Sequence, residues 1–322
     1  METINRKRLV SIINKFKNRR VLVLGDIMLD RYTWGTVERI SPEAPVPIVR
    51  VGKDTLCLGG AGNVYHNLKS LGSCPVLLGT VGDDESGKWI KKNLDCKKGI
   101  FTTKNRPTTT KTRIIAHQQQ IVRVDKEVNE SIPQETNNQM LKFLQKEDYE
   151  GIVISDYNKG VVNEHIMKGL LSFSRKRDIP VFVDPKIENI ALFTPITLLT
   201  PNHFETATIV NHTCDEDKEV EKAGREIFSR ISVKYLIIKR GKKGMTVIDN
   251  NKRADHIPTT AKEVYDVTGA GDTVIATASL ALLSGTSIQE AAFLANAAAG
   301  IVVGKIGTAV VTPQELSNLI KE

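Results

Sequence analysis

The chain has 322 residues, of which 40% are hydrophobic and 25% are charged, the balance of a globular protein with a sizeable buried core. Its net charge of +8 would allow binding to nucleic acid, to a membrane surface or to a phosphorylated small molecule. The basic residues are spread along the chain without an aromatic-basic patch of the RNA-binding kind, so we expect no nucleic-acid partner.

The cysteines and the apolar runs indicate the compartment. Cys57, Cys74, Cys96 and Cys214 form no CxxC pair, which is typical of free thiols in a reducing environment. No apolar run reaches the ~18 residues needed to cross a bilayer, and no signal peptide precedes Val21. We therefore expect a cytoplasmic protein that contacts no membrane.

Short apolar stretches alternate with helical patterns along most of the chain. The stretches are typical of buried parallel strands and lie at 21–25, 76–80, 151–155, 181–184, 197–200 and 236–240. Helical patterns lie between them at about 60–71, 84–94, 134–146, 163–175 and 215–230. This alternation predicts one α/β domain over residues 1–322, with ligands at the carboxyl ends of its strands.

Two segments, 32–51 and 111–125, break the alternation. The first contains three prolines and no helical pattern, and the second alternates with the period of two that is typical of a half-exposed strand. We assign both to a small β lid over the cleft. Further along, 270–284 is almost wholly apolar or small and predicts a buried helix, and Ser287 with Glu290 predicts a capping box for the next one.

The segment from Asp266 to Thr273 carries the most chemical information. Gly269 and Gly271 remove side chains that would keep the backbone away from a phosphate, and the first amides of a helix then point at that anion. Such amides can stabilise charge on a transferring phosphoryl group. Asp272 would repel phosphate, so its presence indicates a base that accepts the proton of an attacking hydroxyl.

This segment, Asp-x-Thr-Gly-Ala-Gly-Asp-Thr, is similar to the C-terminal signature of the ribokinase-like (phosphofructokinase B) family of carbohydrate kinases. The resemblance implies a three-layer α/β sandwich with a mostly parallel central sheet and a small β lid. It implies MgATP as phosphoryl donor, Asp272 as catalytic base and Gly269, Ala270 and Gly271 as an anion hole. A homodimer formed through the β lid is also expected.

Other family features follow in order along the chain. By resemblance, Asp30, Gly60 and Asn63 bind the sugar, and Asn202 with Glu205 organises magnesium, Glu205 through water, although this Asn-x-x-Glu pattern also fits a plain helix cap. The nucleotide side is assigned to Lys239, Gly241, Gly244 and, near the adenine, Asn296. Lys239 stands where the family commonly has threonine, which puts its nucleotide contact in doubt.

Polar residues near the lid are candidates for acceptor binding. Asp156 and Lys159 follow a predicted strand, the usual place for ligand residues in an open sheet. Lys111, Arg113 and Arg123 lie on the lid segment and could bind a phosphate that the substrate already carries. The alternative for each residue is a solvated strand face.

Three patterns, 39–47, 263–265 and 295–308, resemble the heptose 7-phosphate kinase branch of the family. The resemblance implies phosphorylation of the anomeric hydroxyl to give the 1,7-bisphosphate, on the route to ADP-heptose. No adenylyltransferase half follows, so a separate enzyme is expected to act on the product. The alternatives are a kinase for another sugar or sugar phosphate and a non-catalytic sugar-phosphate-binding regulator, although a binder has no use for Asp272.

Overall fold

The structure is a computed structural model that describes residues 5–117, 119–261, 263–305 and 307–321, so Ile306 of the heptose-kinase pattern lies outside the described residues. The helices are α1 Arg6–Asn14, α2 Ala61–Ser70, α3 Glu85–Asn93, α4 Gln134–Leu144, α5 Glu164–Arg177, α6 His203–Val210, α7 Asp217–Arg230, α8 Ala270–Leu283, α9 Ile288–Val303 and α10 Pro313–Lys321. The strands are β1 Arg20–Gly25, β2 Ile27–Ile40, β3 Pro47–Gly60, β4 Cys74–Gly82, β5 Ile100–Thr103, β6 Thr109–Ala116, β7 Gln119–Lys126, β8 Gly151–Ser155, β9 Val181–Asp184, β10 Ile196–Leu199, β11 Val233–Lys239, β12 Met245–Asp249 and β13 Ala254–Ile257.

A large sheet forms the middle layer, in the order β13-β12-β11-β10-β9-β8-β1-β4-β5. The strands from β11 to β5 are parallel, and β12 and β13 extend this sheet antiparallel at one edge. Successive side chains of a strand face opposite sides. Val21 and Val23 therefore pack into the core that contains α1, α2, α8 and α9, while Leu22 and Leu24 pack into the core that contains α4, α5 and α7.

A second sheet has the order β3-β2-β6-β7 and is called the small sheet below. It contains most of the predicted lid segments 32–51 and 111–125, and its strand pairs are antiparallel except for β2 with β6. Several of its apolar side chains are exposed, among them Ile40 (61%), Val51 (57%) and Val124 (54%). The predicted fold class, a mostly parallel α/β sandwich with a smaller second sheet, is confirmed.

The sequence patterns missed several short elements. The missed elements are β5, β12 and β13, with four or five residues each, and α6 and α10, with eight and nine, although the predicted strands β9 and β10 are equally short. The strands β2 and β3 are also longer than expected, since β2 begins at Ile27 and β3 continues to Gly60. In the described parts of the chain, no helix combines the length and the apolar character required to cross a membrane.

Candidate active site

The candidate site lies where the carboxyl ends of β1, β8, β9 and β11 meet the first turns of α2 and α8. Helix α8 starts after Gly269, whose φ of 79° favours glycine, and a Cβ there would lie 2.5 Å from Nδ2 of Asn63. The Ala270 amide donates to the carbonyl of Val267 (3.2 Å), so this predicted anion-hole donor is already engaged in the turn. A Cβ on Gly271 would lie 3.2 Å from Nζ of Lys239, so glycine leaves room beside this ammonium group.

Asp272 is buried in the first turn of α8, and both of its oxygens accept hydrogen bonds. Nδ2 of Asn63 donates to Oδ2 (2.7 Å), and the hydroxyl of Tyr157 donates to Oδ1 (3.0 Å). Burial raises the pKa of Asp272 to about 7, with a further increase from the charge of Asp184, against which the two hydrogen bonds and Lys239 act. A carboxyl with a pKa near 7 suits a general base at neutral pH.

An ion pair lies next to this carboxyl. Nζ of Lys239, at the end of β11, donates to Oδ1 of Asp184 at the end of β9 (2.5 Å), and the hydroxyl of Thr200 donates to the same oxygen (2.8 Å). Because Gly271 borders both partners, this ammonium group lies beside the predicted phosphate position. The residue that departs from the family pattern therefore contributes positive charge at this point.

Asn202 and Glu205 form a capping box at the start of α6. The Asn202 side chain accepts from the Glu205 amide (2.8 Å), and Oε2 of Glu205 accepts from the Asn202 amide (2.8 Å). Oε1 of Glu205 accepts from Nζ of Lys186 (2.6 Å). The helix-cap interpretation of this pattern is thus correct, and its assignment to magnesium stays a prediction.

The side chains that could hold a metal ion are few in the described part of the chain. Among the described residues, no three or more His, Cys, Asp or Glu side chains are grouped as metal ligands would be. Asn202 and Glu205 alone supply too few donors for a site that holds a cation by itself. Magnesium binding at this place stays a prediction.

The predicted nucleotide residues differ in what surrounds them. Gly241 (φ 56°) faces open space, whereas a Cβ on Gly244 (φ 81°) would overlap the backbone that follows β13, so Gly244 has a packing role. Nδ2 of Asn296 donates to the carbonyl of Pro258 (2.7 Å), which fixes the segment after β13. The adjacent Arg240 is buried and pairs with Asp217 (2.6 Å).

On the acceptor side, Asp30 is buried and ion-paired. Its Oδ1 accepts from Nη1 of Arg113, and the Arg113 guanidinium lies 5.2 Å from the centroid of the Tyr32 ring. Gly59 lies against this carboxylate, because a Cβ there would overlap Oδ2 of Asp30. A Cβ on Gly60 (φ 57°) would likewise overlap the carbonyl oxygen of Asp26, so glycine allows α2 to begin close to β1.

The other predicted cations are also paired within the protein. Glu127 bridges Lys159 (2.9 Å) and Lys111 (3.1 Å), and burial, which would raise its pKa, is outweighed by these hydrogen bonds, so the pKa is lowered. Nε of Arg123 donates to Asp125 (2.9 Å), which also accepts from Lys111 (3.3 Å). The structure brings the two lysines together from different elements and leaves Arg123 at the exposed edge of this cluster.

The Asp156 carboxylate is hydrogen-bonded within the protein. It accepts from the amides of Asn158 (2.9 Å) and Lys186 (3.1 Å) and from the side chain of Asn189 (3.1 Å). Burial, with the charge of Asp26, raises its pKa to about 7. These contacts support a role in holding the loops together, and sugar binding by Asp156 stays a prediction.

Sequence reasoning assigned no role to four residues that the structure brings to the site, namely Asp26, Tyr157, Asp184 and Lys186. Asp26 is buried and accepts from the amides of Tyr157 (2.9 Å), Lys159 (3.0 Å) and Val161 (3.2 Å). Each of the four lies at, or within two residues of, the carboxyl end of a parallel strand. That position was the available signal.

Comparison with known proteins places the chain among the ATP-dependent sugar kinases. The model of the family described as "pfkB family carbohydrate kinase" matches residues 18–315, and the chain belongs to that family. The fold agrees with solved structures. Arabidopsis thaliana ribokinase complexed with ribose and ATP superposes with a TM-score of 0.73 at 19% identity, over 95% of this chain and 99% of that one. Phosphofructokinase-2 from Escherichia coli in complex with fructose-6-phosphate gives 0.77 at 20%, over 94% and 98%.

Curated relatives share more sequence and are longer than this chain. The Bifunctional protein HldE of Citrifermentans bemidjiense is 40% identical over 319 residues, which are 97% of this chain and 66% of that protein. The Bifunctional protein HldE of Haemophilus influenzae (strain PittEE) is 42% identical over 313 residues, 95% of this chain and 64% of the relative. The chain thus spans about two thirds of the length of these relatives.

Proposed function

We propose that the chain phosphorylates the anomeric hydroxyl of D-glycero-D-manno-heptose 7-phosphate to the 1,7-bisphosphate, for ADP-heptose synthesis. The observation that carries the reaction is the buried Asp272 carboxylate, held by two donors beside the glycines that start α8. The sugar is supported by the heptose-kinase patterns and by relatives named Bifunctional protein HldE.

The mechanism follows from the charges around Asp272. Asp272 accepts the proton of the anomeric hydroxyl as its oxygen attacks the γ-phosphoryl group of ATP. The amides at Gly269 and Gly271 and the ammonium of Lys239 stabilise the charge on the transferring group. Asn202 and Glu205 hold the magnesium of MgATP through water, and Lys186 keeps the Glu205 carboxylate in place.

Binding of the acceptor involves the two central strands of the small sheet, helix α2 and the loop after β8. Asp30 and Asn63 hydrogen-bond sugar hydroxyls, while Lys111 and Lys159 receive the phosphate that the sugar already carries. This assignment is supported by the position of the two ammonium groups, which both pair with the Glu127 carboxylate. The pocket between them therefore already holds an anionic group. A phosphate group offers more charge and more acceptor oxygens than this carboxylate.

We further propose that the small sheet pairs two copies of the chain in the cytoplasm. The exposed apolar side chains of this sheet support the dimer, because such groups are stabilised when a partner covers them. The free thiols support the compartment. A double variant with Val51→Lys and Val124→Lys should be a monomer in sedimentation equilibrium. If the wild-type protein is itself a monomer, the proposed dimer is wrong.

The experiment for the reaction is an ADP-release assay with MgATP and a panel of acceptors: heptose 7-phosphate, unphosphorylated heptose and several hexose phosphates. We expect heptose 7-phosphate to have the highest kcat/KM and the product to show an anomeric phosphate by ³¹P NMR. Losing two charge-assisted contacts should cost unphosphorylated heptose roughly a hundredfold or more in kcat/KM. Preference for a hexose phosphate would reassign the substrate, and no turnover with any sugar would favour a binding protein.

A further inference from the structure

We propose that Tyr157 is a positioning residue that orients the carboxylate of Asp272 and favours its ionised form. Its hydroxyl donates to Oδ1 of Asp272 (3.0 Å), while Asn63 donates to Oδ2 (2.7 Å). The carboxylate is therefore fixed at both oxygens, and its remaining lone pairs define the direction from which an acceptor hydroxyl can donate. The proposal rests on the proposed role of Asp272 as base.

The tyrosine is held on three sides, which gives its hydroxyl a defined position. Its backbone amide donates to Oδ2 of Asp26 (2.9 Å), and Nζ of Lys186 lies 5.9 Å from the centroid of its ring. The same Nζ donates to Glu205 (2.6 Å). Tyr157 thus joins the side of the site assigned to magnesium to the side assigned to proton transfer.

Several groups around Asp272 affect its pKa, and the Tyr157 hydroxyl is one of them. Asp184 disfavours an ionised Asp272, as does burial, while Lys239 favours it. The Tyr157 hydroxyl and the neutral amide of Asn63 are the hydrogen-bond donors that favour the ionised form. Because ionised Asp272 is the reactive form, loss of the hydroxyl should raise its pKa and reduce the active fraction at neutral pH.

Tyr157 itself stays protonated in this environment. Its pKa is well above the ordinary value because of burial and because Asp272, Asp184 and Asp30 disfavour a phenolate. The hydroxyl therefore acts as a donor throughout the working pH range and does not compete with Asp272 for the proton. Its contribution is geometric and electrostatic, exerted through the carboxylate.

The test compares Tyr157→Phe with the wild-type protein by infrared titration of the Asp272 carboxyl, without any substrate. Subtracting the spectrum of each protein's Asp272→Asn counterpart isolates this band from that of Asp156, which has a pKa in the same range. We expect the midpoint to rise by roughly one to two pH units, since a hydrogen bond to a charged group is lost. Overlaying titrations would overturn the proposal whatever sugar the enzyme uses.

Two further proteins keep the result interpretable. Tyr149→Phe is the matched control, because Tyr149 is also buried but lies two residues before β8, whereas Tyr157 lies two residues after it. Its midpoint should equal that of the wild type. Replacing Tyr157 with 3-fluorotyrosine retains the ring and strengthens the donor, so the midpoint should fall, and a rise would contradict the proposal.

The kinetic counterpart uses the acceptor identified in the ADP-release assay. In Tyr157→Phe, the acidic limb of the kcat/KM profile, which reports the free enzyme, should move to higher pH by the same amount, with the KM for ATP unchanged. A uniform loss of kcat/KM at all pH values, with an unmoved limb, would indicate a merely structural tyrosine. Because the infrared titration needs no substrate, failure of the heptose proposal leaves this test intact.

Discussion

Nζ of Lys239 lies 2.5 Å from Oδ1 of Asp184, and this ion pair borders the site on the side where Gly271 has no side chain. The pair is partly buried, so its electrostatic interactions are less screened than those of a surface pair. An anion that enters beside Gly271 meets the ammonium group first. We therefore propose that this lysine takes part in phosphate binding.

Lys239→Met should reduce kcat by roughly 10–100-fold, because a charge-assisted contact to the transferring group is lost. Steady-state kinetics with saturating MgATP measures this loss. Lys234→Met is the matched control, since Lys234 lies near the other end of the same strand, with its ammonium over the Tyr235 ring. Equal kcat values for the two variants would show that Lys239 does not bind the transferring phosphoryl group.

Asp272→Asn should reduce kcat by about 10²–10⁴-fold, the usual contribution of a general base, while ATP still binds. Calorimetric titration with ATP checks binding, and single-turnover kinetics checks the chemical step. A variant that keeps more than about a tenth of the wild-type rate would exclude Asp272 as the base.

The same substitution should change how stability depends on pH. Burial raises the pKa of Asp272 from 3.8 to about 7, so the folded state holds this proton more tightly than the unfolded state. Its contribution to stability is therefore complete below pH 3.8 and is lost as pH rises through about 7. The Tm of Asp272→Asn relative to wild type should be higher at pH 8 than at pH 5.

Asp148→Asn provides the comparison, because the Asp148 carboxylate is 96% exposed and pairs only at the surface with Arg177. Scanning calorimetry at the two pH values should show no pH-dependent difference for this variant. If Asp272→Asn behaves in the same way, Asp272 does not bear the perturbed proton affinity that its burial implies.

Glu205→Gln should raise the magnesium concentration required for half-maximal activity, because a carboxylate organises the water shell of a divalent cation better than an amide does. Glu290→Gln is the control, since Glu290 occupies the same capping-box position at the start of α9. Both glutamines can still cap their helices, so folding effects should match. Magnesium titrations of the two variants that overlay would reject the assignment of Glu205.

The small sheet should become protected when ligands bind. Heptose 7-phosphate with a non-hydrolysable ATP analogue should slow hydrogen exchange in 32–51 and 111–125 more than in α8, whose core is already buried. Mass spectrometry of peptic peptides measures this difference. Protection confined to 266–273 would show that the small sheet is not a lid that responds to ligands.

The sequence predicted the layers because they depend on local patterns. Apolar strands, helix periods and the glycine-rich start of α8 are each contained within about 15 residues. The orientation and pKa of Asp272 depend instead on partners that are distant in sequence. Asn63 is 209 residues away and Tyr157 is 115 residues away. The position of Tyr157 after a strand marks it as a possible ligand residue, but its contact with Asp272 has no local pattern in the sequence.

The basic residues Lys111 and Arg123 were predicted as groups available to a phosphate. The strand register explains why the prediction did not include their carboxylate partners. Lys111 lies directly opposite Asp125 in the pairing of β6 with β7, and Arg123 lies on the same strand two residues from Asp125. Strand pairing therefore decides which charges neutralise one another. The sequence identified the strands but could not supply this register.

The junction at Asp26 has a mechanical consequence. β1 ends at Gly25 and β2 begins at Ile27, so one residue connects the central layer to the small sheet on this path. Its carboxylate also holds three amides of the loop that carries Tyr157. We expect a tilt of the small sheet to change the backbone torsions at Asp26 and to displace that loop with it. If the small sheet closes on ligands as predicted, we expect covering of the acceptor and alignment of the base to occur in a single movement.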